Sequence, residues 1–154
     1  MEYSLGGLDA HERALLQRKV WADEIGAEVQ PSVVAVQDAL ASLTALYAEE
    51  RKLYQAKIEA AKLRDDIATE AQLRELDKGK DGKINGSNQA IRDMQTAMFL
   101  KSLNGDYKDA VEQADALERE YGSLKVQIDL AEKNLSAHTV LLKLATAKLN
   151  SLGG

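Results

Sequence analysis

The stretch Asp106–Leu152, "DYKDAVEQADALEREYGSLKVQIDLAEKNLSAHTVLLKLATAKLNSL", decides the fold. Tyr107, Ala110, Ala114, Leu117, Tyr121, Leu124, Ile128, Ala131, Leu135, His138, Leu142, Ala145, Leu149 and Leu152 follow one another at steps of three and four. Only His138 among them is neither apolar nor amphipathic. A 3.5-residue period keeps one narrow stripe of a helix turned toward a partner helix, which is a coiled-coil seam. The residues between are mostly charged, among them Asp109, Glu112, Glu118, Lys125 and Lys133. Asp106 is placed to cap the helix start, and Gly153 its end.

Working back along the chain, a second long helix is expected over about 32–76, beginning after the single proline, Pro31. Its apolar residues recur seven apart in two adjacent columns, Leu46, Leu53, Ala60, Ile67 and Tyr47, Tyr54, Ala61, Ala68. Leu40, Leu43, Ala56 and Leu63 widen the stripe, which implies more than one neighbour. Two shorter helices complete the pattern. Residues 9–27 carry Leu15, Leu16, Val20, Trp21 and Ile25, with Asp9 and Glu12 at capping-box spacing, and are expected to stop near Gly26. Residues 88–103 are expected to turn Ile91, Met94, Met98, Phe99 and Leu103 inward, with a break or kink at "NGD", 104–106. The expected architecture is all-α: a long antiparallel helical hairpin or coiled coil with shorter flanking helices. Its organisation is an N-terminal amphipathic helix, 1–30, followed by the hairpin, 31–154, with a tip loop at 77–87. Such a hairpin has no closed core, so an oligomeric bundle is expected, with Tyr107, Leu117, Tyr121, Leu124, Ile128, Leu135, His138, Leu142 and Leu149 as its seam.

Composition narrows the function. The chain has 154 residues and no Cys, so disulfides and thiolate metal sites are excluded. A net charge of −5 gives no global attraction to nucleic acid. No apolar run reaches the roughly 18 residues of a membrane span, and the N-terminus does not read as a signal peptide, so a cytoplasmic protein without membrane contact is expected. Phosphate loop, HExxH and GxSxG motifs are absent. No catalytic residue, metal or cofactor is assigned.

The joint "LDKGKDGKINGSN", Leu76–Asn88, is the one stretch that invites chemistry. Read from Asp77 as an EF-hand loop, it supplies Asp77, Asp81, Gly82, Ile84 and Asn85 in place. Gly79 and Asn88 occupy two ligand positions, the twelfth being the usual bidentate Glu, and Lys78, Lys80 and Lys83 oppose a cation. A Gly/Asp/Asn turn is the reading. Lys78, Lys80, Lys83 and Arg92 form a basic group on a flexible tip, a candidate contact for a partner or for nucleic acid. His11, beside Asp9 and Glu12, reads as a solvated helix start. His138 in the seam is suited to fixing register or oligomer state.

The chain resembles small helical proteins of bacteriophages and prophages found among DNA recombination functions. The resemblance lies in "YAEERKLYQAKIEAAKLR" (47–64), "GSNQAIRD" (86–93), "NGDYKDAVEQADALEREY" (104–121) and "EKNLSAHTVLLKLATAKL" (132–149), and covers about residues 47–150. It implies a place among phage DNA recombination and single-strand-binding functions, while the coiled-coil architecture itself points to a non-enzymatic protein–protein interaction module, a phage-encoded adaptor or inhibitor of a host protein. The alternative is a nucleic-acid-binding accessory of recombination or replication. The expected partners are a second copy of the chain and a further protein.

Overall fold

The computed structural model describes residues 9–153; the N-terminal stretch weighed as a signal peptide lies largely outside them. Three helices follow in order: α1 (Ala10–Leu76), α2 (Gln89–Ser102) and α3 (Asp106–Gly153), with a short 3₁₀ turn at Gly79–Asp81. Among the described residues there is no strand. The chain forms two compact units, one from residues up to Tyr47 with those from Gln127 onward, the other Ala48–Val126.

On α3 the seam is the covered face. All fourteen seam positions are buried or half-buried, and among the other described α3 residues only Val111 and Thr139 share that cover. Their partner lies within the same chain. In the first unit Tyr47 Oη donates to Glu132. In the second, the Tyr54 and Tyr121 rings sit 5.9 Å apart, and Lys57 and Lys125 form ion pairs with Glu118 and Glu50. As the α1 number rises, the α3 number falls, so the two helices pair antiparallel in this unit. Buried alanines (Ala60, Ala110 and Ala114 in the second unit, Ala39 and Ala145 in the first) keep side-chain bulk low at the contact, which favours close approach of helices.

The matching face of α1 also repeats at steps of three and four: Ala22, Ile25, Val29, Ser32, Val36, Ala39, Leu43, Leu46, Glu50, Leu53, Lys57, Ala60, Arg64, Ile67 and Ala71, none of them exposed. This corrects the sequence expectation. The column Leu46, Leu53, Ala60, Ile67 is covered, but of its expected companion Tyr47, Tyr54, Ala61, Ala68 only the two alanines are. Tyr47 and Tyr54 lie at the surface (36% and 49% exposed), and Glu50, Lys57 and Arg64 take the inner position.

A second correction concerns Pro31. The expected stop near Gly26 does not occur, and α1 runs through the proline. Proline inside a helix removes one hydrogen bond and crowds the carbonyl four residues earlier, at a cost of about 3 kcal/mol. Pro31 itself is exposed, while Val29, Ser32 and Val36 on the seam are covered. The proline lies off the seam, at the edge of a groove shared with α3, and continuous seam burial on both sides offsets the loss. The start of α1 is the reciprocal capping box: Glu12 N–H donates to Asp9 Oδ1 (2.8 Å) and Asp9 N–H to Glu12 Oε2 (2.9 Å). At α3, Asp106 is the first helical residue rather than the cap. Gly105 precedes it at φ +65°, where a side chain is strained, and the Asp109 amide closes on the Gly105 carbonyl.

Candidate interaction surfaces

The joint between α1 and α2 is tied down, not flexible. Glu75, on the last turn of α1, is 5% exposed. Its Oε2 accepts from Lys78 Nζ and its Oε1 from the Lys83 backbone N–H, both at 2.7 Å. The Lys78 hydrogen bond first, then the Lys83 amide, hold the Glu75 carboxyl below its ordinary value, outweighing burial, which acts the other way. Gly82 lies against the Glu75 carbonyl so closely that a Cβ there would collide with it. Ile84, 4% exposed, anchors the loop from inside.

The second clamp comes from α2. Gln95 Oε1 accepts from the backbone amides of Asn85 (3.0 Å) and Gly86 (2.8 Å), and Gln95 Nε2 donates to Asn85 Oδ1 (3.1 Å). Arg92 Nη1 donates to the Gly86 carbonyl (3.3 Å). Asn88 caps α2 by accepting from the Ile91 amide (3.0 Å). These bonds satisfy backbone groups that a loop of this kind would otherwise leave to water.

Serving the loop determines how α2 is oriented. Arg92, Gln95, Thr96, Phe99 and Leu100 form its covered side, with Leu103 covered just past its end, and Phe99 is the one α2 residue that is buried. The opposite side carries Ile91, Met94 and Met98, which are 38%, 59% and 65% exposed. The sequence expectation that these three point inward is therefore overturned. Arg92 and Gln95, needed by the loop, share the inner face with Phe99 and Leu100, while Met94 and Met98 stand outward four residues apart and the partly exposed Ile91 lies against Gly86. Beside this face, a groove of about 570 Å³ between α2 and the start of α3 has Leu100, Leu103, Tyr107 and Val111 as its floor, with Lys101 and Lys108 at its edge.

The basic group of the sequence reading is only partly available. Lys78 is paired with Glu75, Lys83 Nζ lies 6.0 Å from the centre of the Phe99 ring, and Arg92 is spent on Gly86 and Gln89. Lys80 is exposed. Among the described residues no group of three His, Asp or Glu side chains is gathered in a way that would hold a metal. His11 is exposed and His138 half-buried.

The inner charges of α1 form a second polar feature. Glu50 Oε1 accepts from Lys125 Nζ (2.9 Å) and from Tyr121 Oη (3.2 Å). Lys57 reaches Glu118 at 2.8 Å and lies 4.8 Å from the Tyr121 ring centre. Arg64 is held by Asp65 at 2.8 Å. The Lys125 hydrogen bond lowers the Glu50 pKa, and the Glu118 hydrogen bond raises that of Lys57. Sequence reasoning missed this column because its residues are charged; the sevenfold spacing 50, 57, 64 was the available signal.

No family model matches the chain, and neither a curated protein nor a solved structure matches it.

Proposed function

We propose that the chain is a non-enzymatic protein-binding module whose working surface is the outward face of α2. One observation carries this reading: Ile91, Met94 and Met98 stand exposed on a helix whose inner side is given over to bracing a loop. An exposed apolar group on a rigid base is the usual mark of a protein interface. Unbranched, polarisable methionine adapts to a partner's contour better than branched side chains do. The adjoining groove, with an apolar floor and two lysines at its edge, suits an amphipathic segment carrying acidic residues. In the setting of the phage proteins that the chain resembles, such a module acts in the cytoplasm as an adaptor or as an inhibitor that occupies a host protein. The ion pair of Lys78 with Glu75 and the hydrogen bonds of Arg92 to Gly86 and Gln89 leave fewer free cations for phosphate, which makes nucleic acid the weaker reading.

The test is capture from nuclease-treated host lysate with the wild-type chain and with M94E/M98E. A protein retained by the first and lost by the second supports the proposal. Equal retention by both removes α2 from it. Retention of single-stranded DNA at low salt, abolished by K78A/K80A/K83A, would establish the nucleic-acid reading instead.

A further inference from the structure

The end of α1 in the first unit overhangs its partner helix. Ala27, Glu28, Pro31 and Ser32 share a groove with Leu141, Leu144, Ala145 and Lys148. In antiparallel register α3, whose last helical residue is Gly153, runs out about abreast of residue 23. Among the described residues no helix lies beside the preceding turns of α1, and residues 10–21 are exposed except Leu16. Yet this segment carries Leu15, Val20 and Trp21, which are 51%, 45% and 48% exposed.

The sequence of the overhang is self-complementary. From Arg18 to Glu24 it reads R-K-V-W-A-D-E: two cations, an apolar centre at Trp21, two anions. An isologous interface pairs one patch with itself about a two-fold axis, so residue i meets j and j meets i. With the axis at Trp21 and the helices antiparallel, Trp21 meets Trp21 of the second copy and Arg18 meets its Glu24, twice over. Positions 14, 18, 21 and 28 lie along the same helix face. Ala14 then comes abreast of the second copy's Glu28, and Leu15 abreast of its Ala27. Each overhang is thereby laid alongside residues 27–32 of the other copy, the α1 side of that groove.

We propose that this end of α1 is a homodimer interface, in which the overhang of each chain lies against the α1 side of that groove in a second copy, about a two-fold axis at Trp21. The interface uses none of the α2 residues, so it stands or falls apart from the protein-binding role proposed for them.

Trp21 is the only tryptophan in the chain, and it reports the contact directly. Sedimentation of the full chain between about 1 and 100 μM, the range in which an interface of modest strength titrates, should show a monomer–dimer equilibrium. Over the same range Trp21 emission should shift to the blue. R18E and E24R each place like charges face to face at two sites and should weaken dimerisation by roughly tenfold or more. Mixing the two variants makes both pairs attractive again and should restore a heterodimer, as should the swap R18E/E24R in a single chain. Circular dichroism checks that each variant keeps its helix. A chain that stays monomeric at 100 μM overturns the proposal. So does a dimer whose Trp21 emission does not move, or single variants that dimerise as the wild type does. Failure of the mixed pair to recover, with both variants folded, would also overturn it.

Discussion

Replacing Gln95 by Ala tests whether α2 is turned to serve the loop. The substitution removes the acceptor of the Asn85 and Gly86 amides and the donor to Asn85 Oδ1. Each such bond is worth a net of about 0.5–1.5 kcal/mol. One of the freed groups sits at a half-buried residue, Gly86, and the others are nearer to water, so the total should fall near the low end, about 2 kcal/mol. If the loop opens on its own, that energy appears as local exchange: protection of the 85 and 86 amides should drop by about thirtyfold. If it opens only with the domain, Tm falls by about 4–8 °C. Gln95→Glu keeps the acceptor for both amides and loses only the donor, so it should recover most of the protection. Hydrogen exchange resolved to residues 83–88, with thermal melts in parallel, reads all of these. Unchanged exchange at 85 and 86 in Q95A, with no change in Tm, would refute the clamp and the account of why Met94 and Met98 face outward.

Two further outcomes follow from the same geometry. The Glu75 carboxyl is held below its ordinary value of 4.5, so its contribution is complete above that pH and is lost as pH falls through the lower, folded value. Acid titration should therefore release the Lys83 amide to exchange below pH 4.5, and E75Q should flatten that dependence. Pro31→Ala restores the hydrogen bond to the Ala27 carbonyl and should stabilise the turns around it by up to about 3 kcal/mol, seen as slower amide exchange over residues 27–35. No change there would mean that the helix does not run through this point in solution.

The all-helical class and the pairing of α3 with α1 were legible because α3 obeys its period without exception: every seam position from Tyr107 to Leu152 is covered. Helix α1 was harder to read. Hydrophobicity alone selected Tyr47 and Tyr54 beside Leu46 and Leu53, because the true inner column holds charged residues: Glu50 and Lys57, whose partners lie more than 50 residues away, and Arg64, held by its neighbour Asp65. At Pro31 a local propensity of about 3 kcal/mol lost to packing on both sides. On α2 the apolar residues were assigned inward by the ordinary rule. The rule failed because the loop's amides needed Gln95, and a satisfied backbone outranked three buried side chains. The pairing of Lys78 was illegible for a related reason: its partner, Glu75, lies on the preceding helix and also holds the Lys83 amide.

The inner charges of α1 also specify its register on α3. In the observed pairing Glu50 meets Lys125 and Lys57 meets Glu118. A coiled-coil seam tolerates slippage by one heptad, since apolar positions recur every seven residues. Slipping α3 by seven in one direction sets Glu50 against Glu132 and Lys57 against Lys125. Slipping it the other way sets Glu50 against Glu118 and leaves Lys57 against Val111. Both neighbouring registers therefore bring like charges together or strand a cation, while the native one satisfies both residues. The double reversal E50K/K57E turns this around: repulsion falls in the native register, and attraction to Glu132 and Lys125, or to Glu118, in the slipped ones. The chain has no cysteine, so a single introduced pair reports register. With Cys replacing Tyr54 and Tyr121, whose rings now lie 5.9 Å apart, the otherwise native chain should crosslink readily, and the double reversal should not. The swap pairs E50K/K125E and K57E/E118K, combined, should restore the crosslink. Equal crosslinking with and without the double reversal would show that apolar packing alone fixes the register, and that the charges in the seam have another purpose.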